Sequence, residues 1–216
     1  MQSFEELLEL SVARHGHLCA GQVIGVRMAM LGCRLVGIDD PQAPEFRKKL
    51  ITFVEIDRCA TDAIESVTGC RVGKRTLKLK DFGINAATFV NLDTQAAYRI
   101  VSTERSRDLA RDYAPEISAK YQQQLEGYKR MPDDLLFEVY PVEVKIPEWE
   151  MPGPPRRHAL CDRCGQMVRD GREVTQAEET LCRPCAGEGY FYPLNDPMQD
   201  QNAGLPRTDE LKEQVS

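Results

Sequence analysis

LITFVEIDRCATDAIESVTGC, residues 50–70, decides the architecture. Leu50 to Ile56 is β-branched and aromatic and reads as a buried strand, and about Arg58 to Thr68 reads as a helix ended by Gly69. Upstream, Ser3 and Glu6 form an S-x-x-E capping box ahead of Leu7, Leu8 and Leu10, so a short helix leads into the stretch from His15 to Gly21. From about Ala20 to Val36 the apolar positions suit a largely buried helix, in which Gly21 and Gly25 would let another backbone approach closely. Pro41 and Pro44 mark a loop.

Downstream, Thr76 to Lys80 alternates as a half-exposed strand and is expected to pair with Ala87 to Leu92 across the Asp81-Phe82-Gly83 turn. Helices are expected over 94–113 and 115–130, parted near Pro115. Leu135 to Ile146 is strand-like, with Pro141 favouring an edge or a bulge. Helices and strands mix without a regular βαβ repeat, so the fold class is α+β rather than doubly wound. The boundaries follow composition: a core domain over 1–146, a Pro-rich linker over 147–158, a four-cysteine zinc finger over 159–192 and a flexible tail over 193–216.

Of the 216 residues, 42% are hydrophobic, enough for a core, and 34 acids against 28 bases give a net charge of −6. That balance argues against a surface built throughout for nucleic acid. No stretch resembles a bilayer span, since Val23 to Leu31 is short and interrupted by Arg27, and the acidic start lacks a secretory signal. A soluble, cytoplasmic protein with no membrane partner is expected. Its eight cysteines then read as metal ligands, reactive thiols or buried apolar groups rather than disulfides.

Cys161-x2-Cys164, 17 residues, then Cys182-x2-Cys185 is a four-thiolate zinc spacing, with Gly165 supporting the first turn. The segment is too small for a core of its own, so bound zinc would supply much of its folding energy. His158 reads as a bystander. Six arginines and five acids between Arg156 and Cys185 give +1, thin for gripping phosphates, so structural zinc serving protein contact or dimer assembly is preferred to nucleic-acid binding. By analogy the segment resembles a treble clef or zinc ribbon.

Near the other end, His15, His17 and Cys19 alternate, and an extended backbone would point all three to one side. Cys19 precedes a helix start, where the dipole favours thiolate, and imidazole with thiolate suits zinc or another borderline-soft divalent ion. Cys59 and Asp62 share a helix face, so His17, Cys19, Cys59 and Asp62 could converge on one ion, with His15 outside the ligand set or capping. Cys33 reads as a packing residue; Cys70 is open between packing and function.

Taken in order, His15-Gly16-His17-Leu18-Cys19-Ala20-Gly21, Cys59-Ala60-Thr61-Asp62-Ala63-Ile64, Thr68-Gly69-Cys70, Gly73-Lys74 and Asp81-Phe82-Gly83 resemble the FmdE family, over roughly Leu7 to Val144. That family is named for a gene in the molybdenum formylmethanofuran dehydrogenase operon. The resemblance implies an α+β core, a homodimer, a metal-binding cleft and, in some members, a C-terminal treble-clef finger. It places His17, Cys19 and Cys59 as the cleft's metal or reactive residues, with Asp62, Cys70 and Lys74 near them. The chain departs from the family pattern at Ala20, usually proline, at Arg75-Thr76, where the family has Gly-Asn, and at Ile84, usually lysine.

Three functions follow as expectations. In an enzyme, Cys19 and Asp62 would act in the cleft with a second divalent metal, taken as zinc, and Lys74 would meet an anionic substrate. An accessory protein would deliver or sense a metal or sulfur species for a molybdenum or tungsten enzyme of one-carbon or methanogenesis-type metabolism. A regulator would bind nucleic acid or a protein through its finger, with the cleft as sensor. The zinc-deaminase pattern is absent from the cleft.

Overall fold

Ser3 opens helix α1 (Phe4–His15) with the complete capping box: its hydroxyl accepts from the Glu6 N–H, and the Glu6 carboxylate accepts from the Ser3 N–H at 2.9 Å. Gly16 ends the helix in the left-handed region (φ +96°), and the chain turns into α2 (Ala20–Leu35) with Cys19 at its N-cap. The computed structural model describes residues 1–191, so the expected tail over 193–216 lies outside the described residues. The chain divides into two compact units, Met1–Ile146 and Pro147–Ser216.

In the first unit α2 is crossed by α3 (Cys59–Thr68), which ends at Gly69 with φ +66°. The crossing is close because Gly25 has no side chain: a Cβ there would lie 2.4 Å from the Ala60 carbonyl oxygen and 2.6 Å from the Ala63 Cβ. Gly25→Ala is expected to cost about 1–3 kcal/mol by overpacking two backbones that cannot separate freely. Urea denaturation should show this as a lower midpoint at unchanged slope, and an unchanged midpoint would contradict the close crossing.

Strand β1 (Leu50–Val54) lies inside a five-stranded sheet of order β2-β1-β3-β4-β5, formed with β2 (Leu77–Leu79), β3 (Ala86–Asn91), β4 (Ala97–Ser102) and β5 (Phe137–Pro141). Leu50, Val54, Ala87, Phe89 and Ile100 join Val23, Met28 and Ile64 in one buried core. Two expectations need correction. The 77–79 strand pairs with β1, in parallel, and not with β3, which lies on the opposite side of β1. The intervening turn is held by the end of β1, where the Glu55 carbonyl accepts from the Phe82 and Ile84 N–H groups. The expected 94–113 helix also begins too early, for residues 97–102 form β4 and α4 spans Arg105–Tyr113. The side chain of Asn91 accepts from the Asp93 N–H at 2.9 Å and closes a turn that sends Tyr98, Ile100 and Val101 back along β3.

Two more helices, α5 (Lys120–Arg130) and the short α6 (Asp133–Leu136), lead into edge strand β5, whose last residue is Pro141. Across the sheet Arg99 donates two hydrogen bonds of 2.7 Å to the buried Glu55 carboxylate. The second unit has two small hairpins, β6 (His158–Leu160) with β7 (Met167–Arg169) and β8 (Val174–Gln176) with β9 (Glu179–Leu181). A helical turn over Pro184–Glu188 follows. The architecture is a mixed helix and sheet domain followed by a cysteine cluster of zinc-finger type. Among the described residues no helix is long and apolar enough to cross a membrane.

Candidate metal centres

Cys161 and Cys164 sit on the turn between β6 and β7, where the Gly165 N–H donates to the Cys161 carbonyl at 2.8 Å with Gly165 at φ +70°. Cys182 follows β9, and Cys185 lies in the turn after it. All four thiols are buried, and their sulfurs lie within 4.8 Å of one another. Cys164 Sγ and Cys182 Sγ are 3.7 Å apart. Sulfurs at the corners of a tetrahedron with zinc-length bonds would be about 3.8 Å apart, so the donor set fits a four-thiolate ion. Burial pushes the Cys161 thiol up, but backbone N–H groups, first that of Cys182 and then those of Cys164 and Arg163, outweigh it and bring the pKa down to about 6. Asp162 braces the two hairpins, its carboxylate accepting from the Thr180 N–H at 2.6 Å while its own N–H donates to the Thr180 carbonyl. His158 is exposed on β6, outside the cluster.

In the first unit His15, His17 and Cys19 bring one donor atom each to within 4.8 Å of one another. They do so at a helix–turn–helix elbow rather than on an extended strand. His15 is the last residue of α1, Gly16 reverses the chain, and Cys19 caps α2. The imidazole of His15 is fixed by Asp62 on α3, whose carboxylate accepts from Nδ1–H at 2.8 Å. Its Nε2 is buried with no hydrogen-bond partner. An imidazole held at one nitrogen by a carboxylate and bare at the other is the usual posture of a metal-ligating histidine. His17 is exposed and Cys19 buried, so the cluster meets solvent on one side.

Cys59, the first residue of α3, adds a second sulfur beside Cys19. Burial raises the Cys59 pKa, and the neighbouring Cys19 thiol and the Asp62 carboxylate raise it further. Gly21 keeps this space open, since a Cβ there would lie 2.8 Å from Cys59 Cβ and 3.7 Å from Cys19 Sγ. The start of α3 is tied to α2 by the wholly buried Gln22, which donates to the Cys59 carbonyl at 2.6 Å and accepts from the Ser11 hydroxyl on α1. Gln22→Leu leaves the buried Ser11 hydroxyl without this partner and removes the bond to the half-buried Cys59 carbonyl, and is expected to cost about 1–3 kcal/mol. Thermal unfolding measures that cost, and an unchanged melting temperature would remove Gln22 from the account.

Of the residues singled out from sequence, the structure gathers His17 and Cys19, sets Cys59 beside Cys19 but outside the three-donor cluster, and holds Asp62 one residue removed, on His15. Lys74 and Cys70 lie beyond the opposite end of α3, a helix of 10 residues and so about 15 Å long. Cys70 is buried against Thr52 and the Leu50 carbonyl, and Cys33 is wholly buried in the core. Burial raises both thiols. Sequence reasoning leaves His15 outside the ligand set and passes over Gln22. The signal for His15 is the glycine after it, which folds the end of α1 back toward the residues that follow.

An α+β domain with a clustered imidazole and thiol site, followed by a unit with a metal-binding cysteine cluster, is the class of protein these features define. Residues 14–140, more than half of the chain, match the family described as "FmdE, Molybdenum formylmethanofuran dehydrogenase operon", and the chain belongs to that family. It is similar over 191 residues, at 26% identity, to a protein of Archaeoglobus fulgidus named "Probable S-adenosyl-L-methionine-binding protein". That match covers 82% of this chain and 51% of the relative, so the chain spans about half the length of the curated relative it matches. A solved structure, that of an FmdE-like protein of the tungsten formylmethanofuran dehydrogenase type from Syntrophus aciditrophicus, shares the fold with a TM-score of 0.57 at 21% identity. The likeness covers 88% of this chain and 96% of that one.

Proposed function

We propose that this chain is a metalloprotein with two sites of different purpose. Structural zinc is held by Cys161, Cys164, Cys182 and Cys185. A second divalent ion, zinc or a chemical equivalent, is held by His15, His17 and Cys19 with Cys59 beside them. The observation that carries the second site is the buried, unpartnered Nε2 of His15 beside two further donors, with Nδ1 anchored on Asp62. An ion there would supply Lewis acidity at a solvent-facing position. Asp62 fixes the tautomer and orientation of His15, and Gln22 fixes the start of α3 that carries Cys59. A site open on one side suits ligand binding, catalysis or metal transfer better than a purely structural role.

The family's name, which mentions molybdenum, and that of the solved FmdE-like protein, which mentions tungsten, support work alongside a formylmethanofuran dehydrogenase of either type in one-carbon metabolism, as enzyme or accessory factor. The relative's name makes S-adenosylmethionine the first small molecule to offer the site, since its amino-carboxylate end is a nitrogen–oxygen pair that suits a divalent ion. A homodimer is the proposed assembly, supported by exposed Val72, Leu79, Phe82 and Ile84 on and beside edge strand β2.

Cobalt(II) titration of the Cys161→Ser/Cys164→Ser variant tests the reading. With the C-terminal cluster disabled, visible d–d bands and a near-ultraviolet thiolate charge-transfer band should still grow to about one equivalent. A variant that stays colourless would overturn the second site.

A further inference from the structure

Beyond the metal centres, a cavity of about 330 Å³ opens past the C-terminal end of α3. Arg47, Lys48 and Lys74 line it, and no carboxylate does. Among the described residues none of these three makes an ion pair, while their neighbours Lys49 and Arg71 hold Asp93 and Glu65. The chain carries a net charge of −6, so an acid-free group of three cations runs against its composition. Like charges gathered without a partner repel one another, and an anion relieves that repulsion.

The backbone on both sides adds a second observation. Lys48 (φ +64°) and Arg75 (φ +62°) take the left-handed conformation that residues with side chains rarely adopt. One places Lys48 at the cavity and the other directly follows Lys74. Such strain concentrates where a ligand is gripped. Pro44 and Phe46 supply an apolar wall. The volume is near the small end of ligand sites, which run from about 300 to 1,000 Å³.

We propose that this cavity binds a small organic phosphate, its dianionic group met by Arg47, Lys48 and Lys74 and its ring laid on the Pro44/Phe46 wall. The site is separate from the metal centre, at the opposite end of α3.

Calorimetric titration with adenosine 5′-monophosphate, adenosine and citrate tests it. The expected result is saturable binding of the monophosphate at about one per chain, at least about tenfold tighter than adenosine or citrate and weakened by added salt. Lys48→Asn/Lys74→Gln should weaken it at least about tenfold with metal content unchanged; asparagine tolerates the left-handed backbone at position 48. No saturable binding at millimolar monophosphate, equal binding of adenosine or citrate, or an unaffected double variant would each overturn the proposal. The wild-type comparison decides even if the variant folds poorly.

Discussion

Cys182→Ser is expected to unfold the C-terminal unit while leaving the first unit intact. Among the described residues, the buried core of that unit consists of Cys161, Cys164, Cys182, Cys185 and one aliphatic side chain, Leu181, with Val168 and Ala186 packed partly against it. One leucine cannot offset the conformational entropy of two short hairpins and their turns. On the proposed reading a bound ion supplies the difference, and structural zinc contributes about 10–16 kcal/mol in peptides of this kind. Removing one ligand, or stripping the ion with a chelator, should expose Arg163, Arg169 and Arg172 to trypsin. A unit that stays resistant without metal would show that packing alone holds it and would contradict the role assigned to the ion.

The second large effect is expected at the His15–Asp62 pair. Asp62→Asn keeps a side chain of the same shape but removes the charge that holds the His15 Nδ1 proton. Carboxylates in that position are worth about 10–100-fold in metal affinity. His15→Ala should cost at least as much, because it removes a donor as well as its orientation. Competition titration against a chromophoric chelator measures both. The double variant should lose no more affinity than His15→Ala alone, since Asp62 acts through His15. Fully additive losses would mean that Asp62 touches the ion itself.

Much of the first unit is readable from local pattern. The Ser3/Glu6 box, the β-branched run from Leu50 and the stop at Gly69 each carry their own signal within a few residues, and each element forms where that signal lies. The strand at 97–102 escapes such a reading because the charged, helix-like run that follows it from Arg105 extends backwards in pattern toward the Asn91 turn. The parallel pairing of β2 with β1 is non-local, and no periodicity reports which side of a strand a later one will join. The same division holds at the site. His17, Cys19 and Cys59 stand out by residue type, whereas His15 depends on a left-handed turn at Gly16 and on a carboxylate 47 residues away. Lys74 and Cys70 follow Cys59 closely in sequence, yet α3 carries them to its opposite end.

Metal content per chain tests the two-site reading most directly, measured by elemental analysis on the wild type and on a Cys19→Ala/Cys59→Ala variant. The account predicts two ions on the wild type and one on the variant, the remaining ion lost only when Cys182 is also replaced. A single ion on both proteins would assign all bound metal to Cys161, Cys164, Cys182 and Cys185 and would contradict the metal centre at His15, His17 and Cys19.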